Sequence, residues 1–246
     1  MKIYLPQRLG FCFGVKKAIM MVEKELKTRN ENVYCLGELI HNPQVMKELK
    51  EKGLKVIDSI EKVNKGILFT RAHGINHKIL EEGLKKKLKV IETTCPYVLR
   101  LQKIAQKLAA ESYYIVIVGC AEHPEIMAVV SNTSTKRLIV IKNAEEIGKI
   151  PQVKKVGVLV QTTESLDNFK NIVNNLIESH FEVRIFNTIC KVVRERQREA
   201  QELAKKVDAM IVVGGLQSSN TRKLAELCRQ MGAKTFLVED ENQLNI

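Results

Sequence analysis

The sequence predicts an α/β protein built on parallel sheets, and three observations carry that prediction. Strand-length apolar runs alternate with helix-period segments along all 246 residues. The polar residues with chemical capacity gather just after the strands and just before the helices, where an open parallel sheet forms its ligand crevice. Three of the six cysteines, Cys12, Cys95 and Cys190, stand at such junctions, 83 and 95 residues apart, a spacing that fits three units of similar size.

The first helix is expected directly after Cys12, because Val15, Ala18, Ile19, Val22 and Leu26 share one face of a 3.6-residue period. Strands are expected at 33–36, 67–70, 89–91, 114–118, 156–160, 183–186, 210–213 and 235–238. Pro43, Pro96 and Pro124 each fall where the first turn of a helix tolerates proline.

Composition narrows the class. Apolar residues make up 45% and charged residues 28%, ordinary for a globular protein. No apolar run reaches the length of a membrane span, and the N-terminus has no signal-peptide stretch, so a cytoplasmic location without membrane association is expected. The formal net charge of +12 invites a nucleic-acid reading. The absence of tryptophan, the 5% aromatic content and the lack of any zinc-finger or RNP-like spacing argue against nucleic acid as a partner.

Six cysteines without close pairing do not make a disulfide framework. Cys35, Cys120 and Cys228 read as small buried hydrophobes. Cys12, in Gly10-Phe11-Cys12-Phe13-Gly14, precedes a helix, and Cys95 and Cys190 repeat that placement. A helix N-terminus lowers a thiol pKa and favours the metal-binding thiolate. Three such thiolates suit a shared soft-metal site, either zinc or an iron–sulfur cluster. The close Cys-x2–4-Cys pair of structural zinc is missing.

Glu122-His123-Pro124-Glu125 places an imidazole and two carboxylates at one junction, where they either transfer protons or cap a helix. His41 and His73 stand beside turn residues. Ser218-Ser219-Asn220 after Gly214-Gly215 reads as a helix cap and a phosphate cradle. There is no Walker lysine and no Gly-x-Gly-x-x-Gly, so no nucleotide is implied.

Taken in order, Gly10–Val15, Leu39–Pro43, Arg71–Gly74, Thr94–Pro96, Glu122–Glu125, Gln161–Thr163, Asn187–Cys190 and Gly214–Asn220 resemble the IspH/LytB family of iron–sulfur reductases. The resemblance covers nearly the whole chain. It implies three small parallel-sheet α/β units in a pseudo-threefold trefoil around a central cavity. The units would be residues 13–95, residues 96–188, and residues 1–12 together with 189–246. It implies a 4Fe–4S cluster on Cys12, Cys95 and Cys190. A diphosphate substrate would be held by His41, His73, His123, Ser218, Ser219 and Asn220. Glu125 would direct protons, with Thr162 at the substrate hydroxyl and His123 close by. The reaction implied is reductive dehydroxylation of 4-hydroxy-3-methylbut-2-enyl diphosphate, with electrons from a ferredoxin or flavodoxin.

Three features depart from the family pattern. Met127-Ala128-Val129-Val130-Ser131 replaces a glycine-containing stretch, Lys191-Val192-Val193 replaces Ala-Thr, and no Gly-Ala-Ser-Thr-Pro-like segment occurs before Ile246. The last of these raises the alternative of an impaired or non-catalytic homologue that binds cluster or diphosphate without efficient turnover.

Overall fold

The computed structural model describes residues 2–28, 31–61 and 63–244. The described strands form three separate sheets, and every pairing is parallel. The first is built by α1 (Phe13–Thr28), β1 (Val33–Leu36), α2 (Pro43–Glu51), β2 (Lys55–Ile57), β3 (Ile67–Phe69), α3 (His77–Lys85) and β4 (Lys89–Ile91). Its strands pair in the order β2-β1-β3-β4. Helix α1 buries Gly14, Ala18, Val22 and Leu26, while Val15 and Ile19 of the expected stripe pack at its margin.

The second sheet repeats that order. It is built by α4 (Pro96–Ala110), β5 (Tyr114–Val118), α5 (Pro124–Asn132), β6 (Leu138–Ile141), β7 (Lys155–Val160), α6 (Leu166–Ser179) and β8 (Glu182–Ile185), paired as β6-β5-β7-β8. Helices cover both faces, so β5 and β7 read as unbroken apolar runs, as parallel strands buried on two sides do. The third sheet contains α7 (Lys191–Ala204), β9 (Ala209–Val213), α8 (Ser219–Gln230) and β10 (Lys234–Val238), and pairs only β10 with β9.

All eight expected strands are present, and two more join them. The added strands, β2 and β6, are edge strands in the same position of their two sheets. β2 has three residues and no fully buried one, and β6 is fully buried only at Ile141. An edge strand buries little, so its apolar signal is weak beside that of a central strand. Pro43, Pro96 and Pro124 each open a helix; the side chains of Asn42 and His123 cap the first and third, while Cys95 holds the same position without a side-chain bond.

Polar side chains and close backbone approach stitch the sheets together. The Asn132 side chain accepts from His77 N and donates to Ile75 O, joining the second sheet to the first. Gly74 has φ +84°, and a Cβ there would lie 2.8 Å from Gln102 Nε2. A Cβ on Gly215 would meet His41 O at 2.3 Å, so the third sheet meets the first through bare backbone. Among the described residues, no helix is long and apolar enough to cross a membrane.

Candidate active site

Each of Cys12, Cys95 and Cys190 immediately precedes a helix, α1, α4 and α7 in turn. All three are half-buried free thiols. Cys95 N donates to Ala72 O and Cys190 N donates to Thr162 O, fixing both loops to the ends of neighbouring strands. A Cβ on Gly14 would lie 2.9 Å from Cys95 Sγ, which puts the start of α1 against that thiol. The thiols sense one another: burial raises the pKa of Cys95, and the charges of Cys12 and Cys190 add to the rise. Burial likewise raises Cys190, with Cys12 and Glu125 adding to it.

That outcome corrects one expectation. The helix amides of Tyr97 and Val98 do lower the Cys95 value, as do those of Val193 and Val192 for Cys190, but burial outweighs them. Without a positive charge between them, these thiols hold their protons. Cys35 and Cys228 are buried as expected, and burial pushes Cys35 up to about 12, an inert thiol. Cys120 differs from its reading: it is only half-buried, and its thiol donates to Glu122 at 3.1 Å.

The second group is imidazole. His41, His73 and His123 come from the ends of β1, β3 and β5, and their ligating nitrogens lie within 4.8 Å of one another. The His41 and His73 rings are 4.4 Å apart at 32°. Burial lowers all three pKa values, His73 well below its ordinary value and His123 to about 4. The positive charges of Arg71 and, for His41 and His123, Arg222 add to the effect. His123 Nδ1 accepts the Glu125 amide at 3.2 Å, so the neutral ring carries its hydrogen on Nε2. The group offers a donor under the positive charge of Arg71 and Arg222, opposed at His41 by the Glu38 carboxylate 3.6 Å from Nδ1, and two cations against one anion suit an anionic ligand better than a cation. His41 Nδ1 and His73 Nδ1 are buried without a hydrogen-bond partner.

Glu125 is 2% exposed. Thr162 N donates to Oε1 at 2.8 Å and Thr162 Oγ1 to Oε2 at 2.6 Å. Burial raises the Glu125 pKa, and the two Thr162 bonds oppose it. The carboxyl is close enough to Cys190 to act on its titration and lies two residues from His123.

Helix α8 brings the remaining residues. Ser218 caps it by accepting from Thr221 N, so the expected capping role is met. Ser219 Oγ lies 2.9 Å from Thr163 Oγ1, and Asn220 Oδ1 is buried without a partner. Sequence reasoning assigned no role to Arg71, Gln161, Thr163 or Arg222. Arg71 packs against Gly37 and has a buried, unpartnered Nε. The only signal for Gln161 and Thr163 was their place after β7, inside a motif already noticed.

Fold and site together define an α/β enzyme with a thiol group, an imidazole group and a buried carboxyl at the carboxyl ends of parallel strands. Residues 3–246 match the family model described as LytB protein, and the chain belongs to that family. It is 42% identical to the 4-hydroxy-3-methylbut-2-enyl diphosphate reductase of Geobacter metallireducens, over the whole of this chain and 86% of that protein. The reductase of the same name from Geotalea uraniireducens is 41% identical over the same shares. Among solved structures, the E-1-hydroxy-2-methyl-but-2-enyl-4-diphosphate reductase of Plasmodium falciparum is similar with a TM-score of 0.92 and 30% identity, over 97% of this chain and 76% of that one.

Proposed function

We propose that this chain is a 4Fe–4S reductase that converts 4-hydroxy-3-methylbut-2-enyl diphosphate to isopentenyl and dimethylallyl diphosphates in the isoprenoid pathway. The observation that carries the reading is Glu125: a buried carboxyl held by Thr162, electrostatically in touch with Cys190 and two residues from the imidazole group. Proton delivery, a thiol group and an anion site thus meet at one place.

Cys12, Cys95 and Cys190 fit a cluster better than a single ion. Among the described residues, the imidazoles close on one point and the three thiols do not. The raised pKa values of Cys95 and Cys190 are those of ligands awaiting a positive centre. Bound there, a cluster would supply one-electron reducing equivalents and Lewis acidity. The chain's own residues do the rest. His41, His73, His123, Ser218, Ser219 and Asn220 grip the diphosphate and fix the allylic hydroxyl toward Glu125. Burial raises the Glu125 pKa against the pull of the two Thr162 bonds, which favours the proton-carrying form that a proton donor needs. Thr162 orients that carboxyl and relays the proton to the departing oxygen, which leaves as water. Two electrons and two protons enter per turnover: as the C–O bond breaks, one proton leaves with the hydroxyl as water and the other forms the new C–H bond of the product. The electrons come from a small acidic carrier such as a ferredoxin or flavodoxin, and the formal charge of +12 favours that encounter.

The test is anaerobic turnover of the substrate with a reduced mediator, alongside iron analysis of single variants. Cys12→Ser, Cys95→Ser and Cys190→Ser are expected to lose most iron, and Cys35→Ser and Cys228→Ser to keep it. Glu125→Gln is expected to retain iron and substrate binding and lose turnover. Equal iron loss in all five cysteine variants, or ordinary turnover by Glu125→Gln, would overturn the assignment.

A further inference from the structure

Gln161 lies at the end of β7, 2% exposed, and every polar atom of its side chain is engaged. Its carbonyl oxygen accepts from Cys120 N at 3.0 Å. A backbone N–H can only donate, so the atom facing it is the oxygen, and the amide nitrogen must face the other way. That nitrogen donates to Thr163 Oγ1 at 3.0 Å and to Ser219 Oγ at 3.3 Å. The two hydroxyls are themselves 2.9 Å apart.

The count of hydrogens follows. A hydroxyl has one hydrogen and two acceptor positions. Both hydroxyls accept from Gln161, and one donates to the other. The receiving hydroxyl then has both acceptor positions filled, and its own hydrogen must point out of the triangle. Whichever of the two receives, the pair is left with one outward O–H. That O–H belongs to Ser219, the first residue of α8, or to Thr163 2.9 Å from it, and either way it lies beside the start of α8, where free helix amides favour negative charge.

We propose that Gln161 is a positioning residue for the diphosphate: its side-chain amide orients the Thr163–Ser219 pair so that one hydroxyl is left to donate to a phosphate oxygen. The proposal deepens the functional reading above and rests on it. Gln161 also ties the end of β5, through Cys120 N, to the start of α8, so the second and third sheets present their donors as one surface.

The experiment is calorimetric binding of inorganic diphosphate to the full chain. Wild type is expected to bind, and absence of binding would overturn the anion site and this proposal with it. Gln161→Glu keeps an oxygen for Cys120 N but replaces the donor with an acceptor. At pH 8 it is expected to bind diphosphate about 10-fold more weakly or worse, the scale of one hydrogen bond to a charged group. As pH falls, the introduced carboxyl regains an O–H, and the ratio of variant to wild-type affinity is expected to recover. Gln161→Leu gives an independent check through a double-mutant cycle. Its loss is expected to shrink to under about 2-fold in a Thr163→Val/Ser219→Ala background, because the hydroxyls it acts through are gone. Wild-type affinity in Gln161→Glu, a loss that ignores pH, or a Gln161→Leu loss that persists without the hydroxyls would overturn the positioning role.

Discussion

The first two sheets and the third are built on the same parallel pairing but are held together in different ways. β1 and β5 each have a neighbour on both sides, whereas β9 pairs only with β10 among the described strands. Residues Ile115 to Val118 of β5 are 0% exposed, while Ile211 and Val213 of β9 are 46% and 66% exposed. The core under the third sheet is correspondingly small: Ala204, Val212, Ala225, Cys228 and Ala233. A two-stranded sheet is marginal by itself. The site thus has a rigid side, carrying the imidazoles, Glu125 and Thr162, and a softer side, carrying Ser218, Ser219 and Asn220. The softer side keeps its place through contacts with its neighbours.

The largest expected effect tests that contrast directly. Ile117→Ala removes a fully buried side chain from the centre of β5, and Ile211→Ala removes a half-exposed one from β9. The first is expected to cost about 2–5 kcal/mol, the range for Ile to Ala in a packed core. The second is expected to cost under about 1 kcal/mol. Chemical denaturation of both variants measures the difference. Equal losses would show that β9 is as firmly packed as β5.

The next effect sharpens the comparison through pH. The histidine group belongs to the first two sheets, with His123 buried and His41 and His73 half-buried, and desolvation lowers all three pKa values. His123 titrates at about 4 in the folded chain against 6.5 when unfolded. The depressed value means that the unfolded chain binds the proton more readily. Stability is therefore full above pH 6.5 and falls as pH drops from 6.5 toward about 4. A shift of this size corresponds to about 3 kcal/mol at 1.36 kcal/mol per pH unit. His123→Asn removes the titration and keeps a good helix cap. Its denaturation free energy should fall less steeply between pH 7 and 4 than that of wild type. Parallel curves would locate the acid sensitivity elsewhere.

How much of this was legible follows from the same contrast. The central strands were readable because burial on both faces leaves continuous apolar runs, as in Ile115 to Val118. The edges β2 and β6 were not, because an edge carries half the signal. The thiol-bearing loops were legible from glycine, proline and cysteine at helix starts. The raised pKa values of Cys95 and Cys190 were not, because burial is a property of the packed chain. His41 and His73 looked like separate turn residues 32 positions apart, and only the pairing of β1 with β3 brings their rings together. Gln161 was hidden for a related reason: its partners, Cys120 N and Ser219, are 41 and 58 residues away.

The smallest effect concerns what holds the softer side in place. Lys223 on α8 reaches Glu164, just after β7, at 3.1 Å, and the two side chains are 22% and 9% exposed. Burial disfavours the ammonium, but the charges of Glu164 and Glu226 outweigh it, and the Lys223 pKa is raised. On the other side of the same loop, Gln197 of α7 donates to Thr163 O and Glu164 O at 3.3 Å. Lys223 therefore ties α8 to the loop that carries Thr162 and Thr163. Lys223→Met keeps most of the apolar stem and removes the charge, leaving Glu164 with the Ser165 amide as its remaining partner. The cost is expected to be about 1–2 kcal/mol, between an exposed pair and a fully buried one. Adding Glu164→Gln should recover part of it, because no uncompensated carboxylate then remains buried. Hydrogen exchange should quicken in α8 and β10 while β5 and β7 stay protected, since the tie joins a weak sheet to a strong one. If α8 exchanges no faster in Lys223→Met, the third sheet is seated by its backbone contacts at Gly215 and by Gln197 without help from this ion pair.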